Sequence, residues 1–452
     1  MTISQIISYF LKGHERSVKI KKNIVGNILI KVSSTVLSLV LIPLTITYVN
    51  PTRYGIWLTL SSVISWISLF DIGLGGGLRN RLTQALSEGN TKLAKIYVST
   101  TYGVIAGIIL LLMLVFSFLL PFLNWCDILN APKDMQHELS MVAAIVFYIM
   151  SLQFVFKLIT TVLSAYQQTS QASMLNFLGS LTGFVAIFIL TRTTHGSLTY
   201  LALALSLPPL LVFVIANFWL FGVKFKEISP SFSSFNLKHL PNLANLGLQF
   251  FFIQIAGIVI FSTTNIIISH FYGPQEVTPY NIANRLFNAC SMIFFIILTP
   301  FPPAFTDAFF RHEIDWIKKS ILYLVKFWIF VASVTLLVFI ASPLIYHFWI
   351  GNRVHISLSL SLVVAVYALL LSWNGIFTSF INGVGKIRLQ LYAGFVEAAS
   401  FFPLAYFFSQ ICHLGIQGIV IASIVPLLSG AIWSYIQYTK ILNNTARGIW
   451  NK

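Results

Sequence analysis

Four cations stand inside long apolar stretches of the sequence: Lys31, Lys157, Arg285 and Lys326. A charge in such a setting is costly. It faces a cavity or a partner, or it reaches back to the water boundary on a long side chain. The chemistry open to these groups is anion binding rather than bond making. Arg285 is the best suited, because a guanidinium can pair two phosphate oxygens at once, and Asn281 and Asn284 precede it as neutral donors. Lys31 lies about seven residues, roughly 10 Å of helix, inside its stretch. Lys157 lies about as deep, whereas Lys326 is close enough to an end to serve as an interface anchor. The acids in such stretches are Asp71 and Glu397, with Asp307 at an end. Asp71 neutralises Lys31 in a structural ion pair, binds a coupling cation, or serves a loop end or helix packing; Glu397 faces the same choice, with the structural role favoured. No side chains are spaced as a catalytic set, and no Cys/His spacing resembles a metal site. Three cysteines (Cys126, Cys290, Cys412) leave an odd thiol, with a Cys126–Cys412 disulfide as one reading.

A second candidate is the glycine run in FDIGLGGGLRNRLTQALSEGNTKLAK, residues 70–95. It has the look of a phosphate loop. A dinucleotide fingerprint needs glycines at its first, third and sixth positions, and a P-loop needs Gly-Lys-Ser/Thr. Counting from Gly73 or Gly75, the sixth position is Leu78 or Asn80, and Leu78-Arg79-Asn80 follows the run. Neither nucleotide motif is present. The run instead ends an apolar stretch, where Gly73 and Gly77 have the spacing that lets helices approach closely. Arg79 and Arg81 then either anchor that end or meet an anionic headgroup.

The elements that must position these residues are helices in a membrane. Of 452 residues, 57% are hydrophobic and 9% charged, against roughly 25% charged in a soluble domain. Stretches such as VSSTVLSLVLIPLTITYV are about long enough to cross a bilayer as helices. Hydropathy divides the chain into about twelve spans, near 24–49, 53–78, 96–123, 139–164, 174–191, 198–221, 246–270, 280–305, 321–350, 358–381, 389–409 and 415–438. The expected class is an all-α integral membrane protein. Its domains are an interfacial amphipathic helix over 1–22, an N-terminal six-helix lobe over 23–221, and a cytoplasmic linker over 222–245. A C-terminal six-helix lobe over 246–440 and a cytoplasmic tail over 441–452 complete it.

The net charge of +16 follows the same topology. With the N-terminus inside, most Lys and Arg fall in cytoplasmic segments, while the external segments hold Arg53, Lys133, Arg192 and Arg353. This is the positive-inside pattern, so the basicity points to anionic membrane lipids and not to nucleic acid. Both termini are expected in the cytoplasm. A shift of 223 residues aligns YVNPTRYG (48–55) with FYGPQEVT (271–278), and TQALSEGNTKLAK with TDAFFRHEIDWIKK. Two repeats of six spans run in the same direction, with a pseudo-two-fold along the membrane normal and a site between lobes that rock.

The words of 48–102, a span ending Asp-Ile-Gly-Leu-Gly, then LRNRLTQAL, then GNTKLAK, resemble the polysaccharide-transport branch of the multidrug/oligosaccharidyl-lipid/polysaccharide exporter superfamily. That branch includes O-antigen flippases. The resemblance implies two six-helix lobes around a central cavity lined chiefly by spans one, two, seven and eight. It also implies translocation of an undecaprenyl-pyrophosphate-linked oligosaccharide across the bacterial cytoplasmic (inner) membrane. On this reading Lys31, Lys157, Arg285, Arg79, Arg81 and Asn284 bind substrate, and Asp71 and Glu397 serve ion coupling or ion pairing. No resident cofactor is expected beyond a coupling H+ or Na+. The partners are the lipid-linked oligosaccharide, anionic lipids and other polysaccharide-assembly membrane proteins. A cation-coupled multidrug antiporter is the alternative within the superfamily, although cations outnumber acids in the spans. A membrane glycosyltransferase or polymerase would need a substantial segment carrying acid/base groups. The longest external loop, 124–138, is too short for one.

Overall fold

The computed structural model describes residues 15–67, 74–241, 243, 263–299 and 301–451. These residues are nearly all helical, with no strand among them. Ten helices among them are long and apolar enough to cross a membrane. They coincide with ten of the twelve expected spans, and the other two, near 53–78 and 246–270, run through residues outside the described set. The chain is a multi-pass, all-helical membrane protein.

Helices of eight residues or more are numbered here. The first are α1 (Glu15–Val49), α2 (Pro51–Ile64), α3 (Leu74–Ser87), α4 (Thr91–Leu119) and α5 (Gln136–Phe156). Then come α6 (Leu158–Ala165), α7 (Thr169–Thr193) and α8 (Leu198–Trp219). The second half supplies α9 (Val277–Leu298), α10 (Phe301–Phe310), α11 (Ile314–Ile350), α12 (Leu358–Val384), α13 (Arg388–Tyr406) and α14 (Gly415–Leu442). Helix α1 is described from Glu15 and runs without a break past residue 22, so residues 15–22 are one helix with the first span; residues 1–14 lie outside the described set. Pro43 lies inside α1, and beside it Thr45 Oγ1 donates to Leu41 O at 2.7 Å and Thr47 Oγ1 to Pro43 O at 2.7 Å. Within the span expected over 280–305, α9 ends at Leu298, and Pro302 and Pro303 lack N–H donors to offer a helix.

One compact unit comprises Met1–Asn50, Ile64–Asp127 and Pro132–Phe251. Within it, the polar segment after α8 is bound along α4. Ser231 N donates to Ser99 Oγ at 3.1 Å, Asn236 N to Thr100 Oγ1 at 3.1 Å, and His239 meets Tyr97 edge-on at 5.7 Å. Cys126 is buried, with Sγ donating to Pro132 O at 3.0 Å. Burial and the nearby Asp127 and Asp134 carboxylates push its thiol pKa up. The three cysteines are free, so no Cys126–Cys412 disulfide forms.

The second unit comprises Pro51–Val63, Ile128–Ala131 and Phe252–Lys452. Two short pieces from early in the chain therefore belong to it. Helix α2 rests on the turn before α9: Thr278 Oγ1 donates to Pro51 O at 2.7 Å, and Gly55 lies so close to the Pro274 carbonyl that no Cβ would fit. Asn130 Nδ2 donates to Ser269 O at 3.0 Å, and Ser269 Oγ to Leu129 O at 2.6 Å. One apolar cluster joins α9, α12, α13 and α14 around Phe287, Val364, Phe401 and Ile419. Another joins α9 to α11, α12 and α14 around Phe294, Leu324, Phe380 and Ile441. The chain's last turn, Gly448–Asn451, folds back on this unit. Lys386 Nζ donates to Asn451 Oδ1, Gln437 Nε2 donates to Lys386 O and Trp450 O, and the Lys440 ammonium lies 4.2 Å from the centre of the Trp450 ring.

Candidate functional site

Two of the four membrane cations, Arg285 and Lys31, stand in polar stripes on two helices, one in each unit. In the second unit, the sequence NIANRLFN places Asn281, Asn284, Arg285 and Asn288 at i, i+3, i+4 and i+7 on α9. Helical spacing puts all four on one face. The neighbouring face, with Tyr280, Phe287, Ser291 and Phe294, is buried in the apolar clusters. Arg285 and Asn288 are exposed, and Asn284 is half-buried. Asn288 Nδ2 donates to Asn284 Oδ1 at 2.7 Å. The stripe continues onto other elements of this unit: Asn281 Nδ2 donates to Asn265 Oδ1 at 2.8 Å, and Asn265 Nδ2 to Ser62 Oγ at 2.8 Å. Arg285 is also within electrostatic range of Tyr54 on α2. A planar guanidinium among amide groups can hold phosphate oxygens in its fork and exchange hydrogen bonds with hydroxyls beside it.

In the first unit, α1 presents Asn27, Lys31, Ser34, Thr35 and Ser38 on one face. Lys31 is exposed. The hydroxyls bond back to their own helix, Ser34 Oγ to Ile30 O at 2.8 Å and Thr35 Oγ1 to Lys31 O at 3.0 Å, which leaves oxygen lone pairs toward the stripe. Asn27 Nδ2 donates to Thr169 Oγ1 at 2.9 Å, while its buried Oδ1 has no partner. On a different face of α1, Val32, Ser33, Val36, Leu37 and Val40 form an apolar cavity of about 330 Å³ with Phe177 and Phe184 of α7. One helix therefore carries an exposed cation on one face and an apolar slot on another.

The other predicted residues are placed apart from these stripes. Arg79 is exposed on α3, and Arg81 donates to Gln84 Oε1 at 3.1 Å, which continues to Glu88 through Gln84 Nε2 at 2.9 Å. Helix α3 packs against α4 and α6. Lys157 occupies the break between α5 and α6 and is exposed. Glu397 is half-buried on α13, its Oε1 close to Gly430 of α14 and beside Asn374 of α12. Asp71 and Gly73 lie outside the described residues.

Sequence reasoning missed Ser62, Asn265 and Asn288, although the i, i+3, i+4, i+7 pattern of 281–288 was there to find. It also missed Asn217, a buried polar hub in the first unit. Asn217 Nδ2 donates to Phe156 O at 2.6 Å and Phe213 O at 2.8 Å, and its Oδ1 accepts from Tyr102 Oη at 2.8 Å. The Phe156 carbonyl stands at the Lys157 break, so Asn217 holds that break in shape. Each buried group left unsatisfied costs about 1–3 kcal/mol. Asn217→Leu is therefore expected to lower the melting temperature in detergent by several degrees, and Tyr102→Phe by less. Equal melting of Asn217→Leu and the parent would remove this role.

The model of the family described as polysaccharide biosynthesis protein matches residues 20–309, more than half of the chain. A protein of Salmonella typhi named as a proposed O-antigen transporter is 20% identical over 390 residues, covering 84% of this chain and 86% of that protein. A proposed O-antigen export protein of Yersinia pseudotuberculosis is 20% identical over 351 residues, covering 74% and 76%. Among solved structures, the inward-facing form of a multidrug resistance transporter of the MATE family has a TM-score of 0.78 at 15% identity, covering 92% of this chain and 96% of that one. A transporter of the same superfamily from Pyrococcus furiosus has a TM-score of 0.66 at 15% identity, covering 95% and 97%. At such identities the structural likeness shows the fold.

Proposed function

This chain belongs to the polysaccharide biosynthesis protein family, and on that footing we propose that it is a flippase. It moves an undecaprenyl-pyrophosphate-linked oligosaccharide, an O-antigen or similar repeat unit, across the bacterial cytoplasmic membrane by alternating access. The observation that carries the reading is the membrane-embedded stripe of Asn281, Asn284, Arg285 and Asn288. Flipping breaks no covalent bond. Its obstacle is the cost of taking a pyrophosphate and sugar hydroxyls past hydrocarbon. Arg285 and Lys31 offset that cost by replacing water around the phosphates, and the asparagines do so around hydroxyls. The slot between α1 and α7 suits the isoprenoid chain. Arg79 and Arg81 meet headgroups at the cytoplasmic face, and Lys157 is a further cation on the substrate's path. Coupling to H+ or Na+ falls to Glu397, with Asp71 as a second candidate. Anionic lipids contact the basic inner segments, and other polysaccharide-assembly membrane proteins supply and accept the substrate.

The O-antigen relatives favour this substrate over the drugs of an antiporter with the same fold, as does the excess of cations over acids in the spans. The test is genetic and topological. A strain lacking its own flippase, given this chain with a matching glycan pathway, should regain surface glycan. Without the chain, lipid-linked oligosaccharide should stay on the cytoplasmic leaflet. Cysteines placed at Ser197 and Asn352 should react with an impermeant thiol reagent in sealed cells, and one at Ser234 should not. Absence of complementation by a correctly inserted chain would overturn the reading, and labelling at Ser234 would overturn the N-in, C-in orientation.

A further inference from the structure

Helix α14 carries a line of buried polar groups that the flippase stripes do not use. Ser434 and Gln437 are both 0% exposed, and the Ser434 hydroxyl and Gln437 Oε1 have no partner. Gln437 Nε2 is fixed by its bonds to Lys386 O at 3.0 Å and Trp450 O at 3.3 Å, so its orphaned oxygen is identified unambiguously. On α13, Gln390 Oε1 is likewise buried without a partner. Such acceptors and hydroxyls are normally satisfied, and where protein offers nothing, water does it.

These groups fall in one register. Helices α13 and α14 pack against each other. They run antiparallel, because the chain turns back between Tyr406 and Gly415. A Cβ at Gly430 would lie 3.5 Å from Glu397 Oε1 and 3.0 Å from Asn374 Oδ1, which sets Glu397 level with Gly430. Seven residues along each helix, roughly 10 Å, bring Gln390 level with Gln437. Between them the seam is bordered by small residues, Ala393 and Gly394 on α13 and Ser434 on α14. At its far end it reaches Lys386, Trp450 and Asn451, where burial draws the Lys386 ammonium pKa below the usual lysine range.

We infer that the seam between α13 and α14 holds a file of water that connects Glu397 to the Lys386 end of the unit and carries its proton. At a spacing near 2.8 Å, about three or four waters span the distance. Hydronium at the mouth gives a proton to the file, the proton passes between waters, and the Glu397 carboxylate becomes a carboxyl; release reverses the path. No oxidant or other reactant is involved. The titratable groups near Glu397 are Tyr367 on α12 and, next to Tyr367, Tyr280 on α9. Helix α14 presents the uncharged Gly430 and Ser434, and the last turn presents Trp450 and Asn451 at the mouth. This inference rests on the coupling role given to Glu397 above. In the orientation proposed there, the mouth opens to the cytoplasm.

Silver ions, which follow water, test the file in full-length protein whose three native cysteines are replaced. In inside-out vesicles, Ser434→Cys should react within about tenfold of the rate at exposed Asn443→Cys. It should react at least a hundredfold faster than Ala422→Cys, which sits in a dry core. The carboxyl stretch of Glu397, identified by its loss in Glu397→Gln, should exchange with heavy water quickly, and at least tenfold more slowly in Ser434→Leu. Silver reactivity decides the matter alone where the leucine variant does not fold. A Ser434→Cys as inert as Ala422→Cys would overturn the proposal, and so would a carboxyl band moved by sodium and not by pH. Neither readout uses a glycan, so a dry seam in a complementing protein counts against the file and leaves the flippase reading standing.

Discussion

Replacing both Lys31 and Arg285 by alanine should lower surface glycan at native expression by at least tenfold. In the proposed role each cation would make charge-assisted hydrogen bonds to phosphate, worth about 1.5–3 kcal/mol apiece, and about 1.4 kcal/mol corresponds to a factor of ten in affinity. Arg285→Ala is expected to be the more damaging single change. It removes the fork at the centre of the α9 stripe and leaves Asn284 and Asn288 bonded to each other at 2.7 Å, without a charge to draw the headgroup in. Arg285→Lys keeps the charge and loses the two-point geometry, so it should fall between. Lys31→Ala should act more mildly, because an ammonium is a point charge without the two-point geometry of the Arg285 guanidinium. Both residues are exposed, so neither substitution should disturb folding, and membrane levels of the variants should match the parent. The measurement is surface glycan in a strain lacking its own copy, with the amount of each variant controlled. Full glycan from the double variant at low expression would make Lys31 and Arg285 interface anchors.

The spans and their class were legible because long apolar runs with few charges have one stable form in lipid. The ends of elements were less so. Hydropathy carried the eighth span to about 305, and only the packed structure shows α9 ending at Leu298. The break at Lys157 had no local signal at all: no proline or glycine stands there, and a carbonyl is secured by Asn217, sixty residues away. Arg285 and Asn284 were found because charge inside an apolar run is conspicuous. Ser62 and Asn265 escaped because a single serine or asparagine in a span is ordinary, and their meaning comes from contact with Asn281. Ser434 and Gln437 escaped for a similar reason. Their hydroxyl and carbonyl become notable once the neighbouring helices are seen to offer them nothing.

Gly77→Ala should destabilise the protein severely, and Gly76→Ala should not, although the two glycines are adjacent in one helix. A Cβ on Gly77 would lie 2.0 Å from the Leu243 carbonyl oxygen and 2.9 Å from its carbon. Both are backbone atoms, so relief requires a helix or a chain segment to move by more than an ångström. A Cβ on Gly76 would meet nothing within 4 Å. Alanine there also gains about 1 kcal/mol in helix propensity over glycine. The glycine run therefore exists, at Gly77, to let α3 accept the chain segment that follows α8, with no nucleotide phosphate involved. That contact braces the end of α3 that leads to Arg79 and Arg81, so the strain should spread to both. Melting in detergent is expected to fall by well over five degrees for Gly77→Ala, with poor recovery from membranes, and to hold or rise for Gly76→Ala. Equal melting of the two variants would mean that Leu243 does not press on α3, and the small residues of the run would then serve only the approach of neighbouring spans.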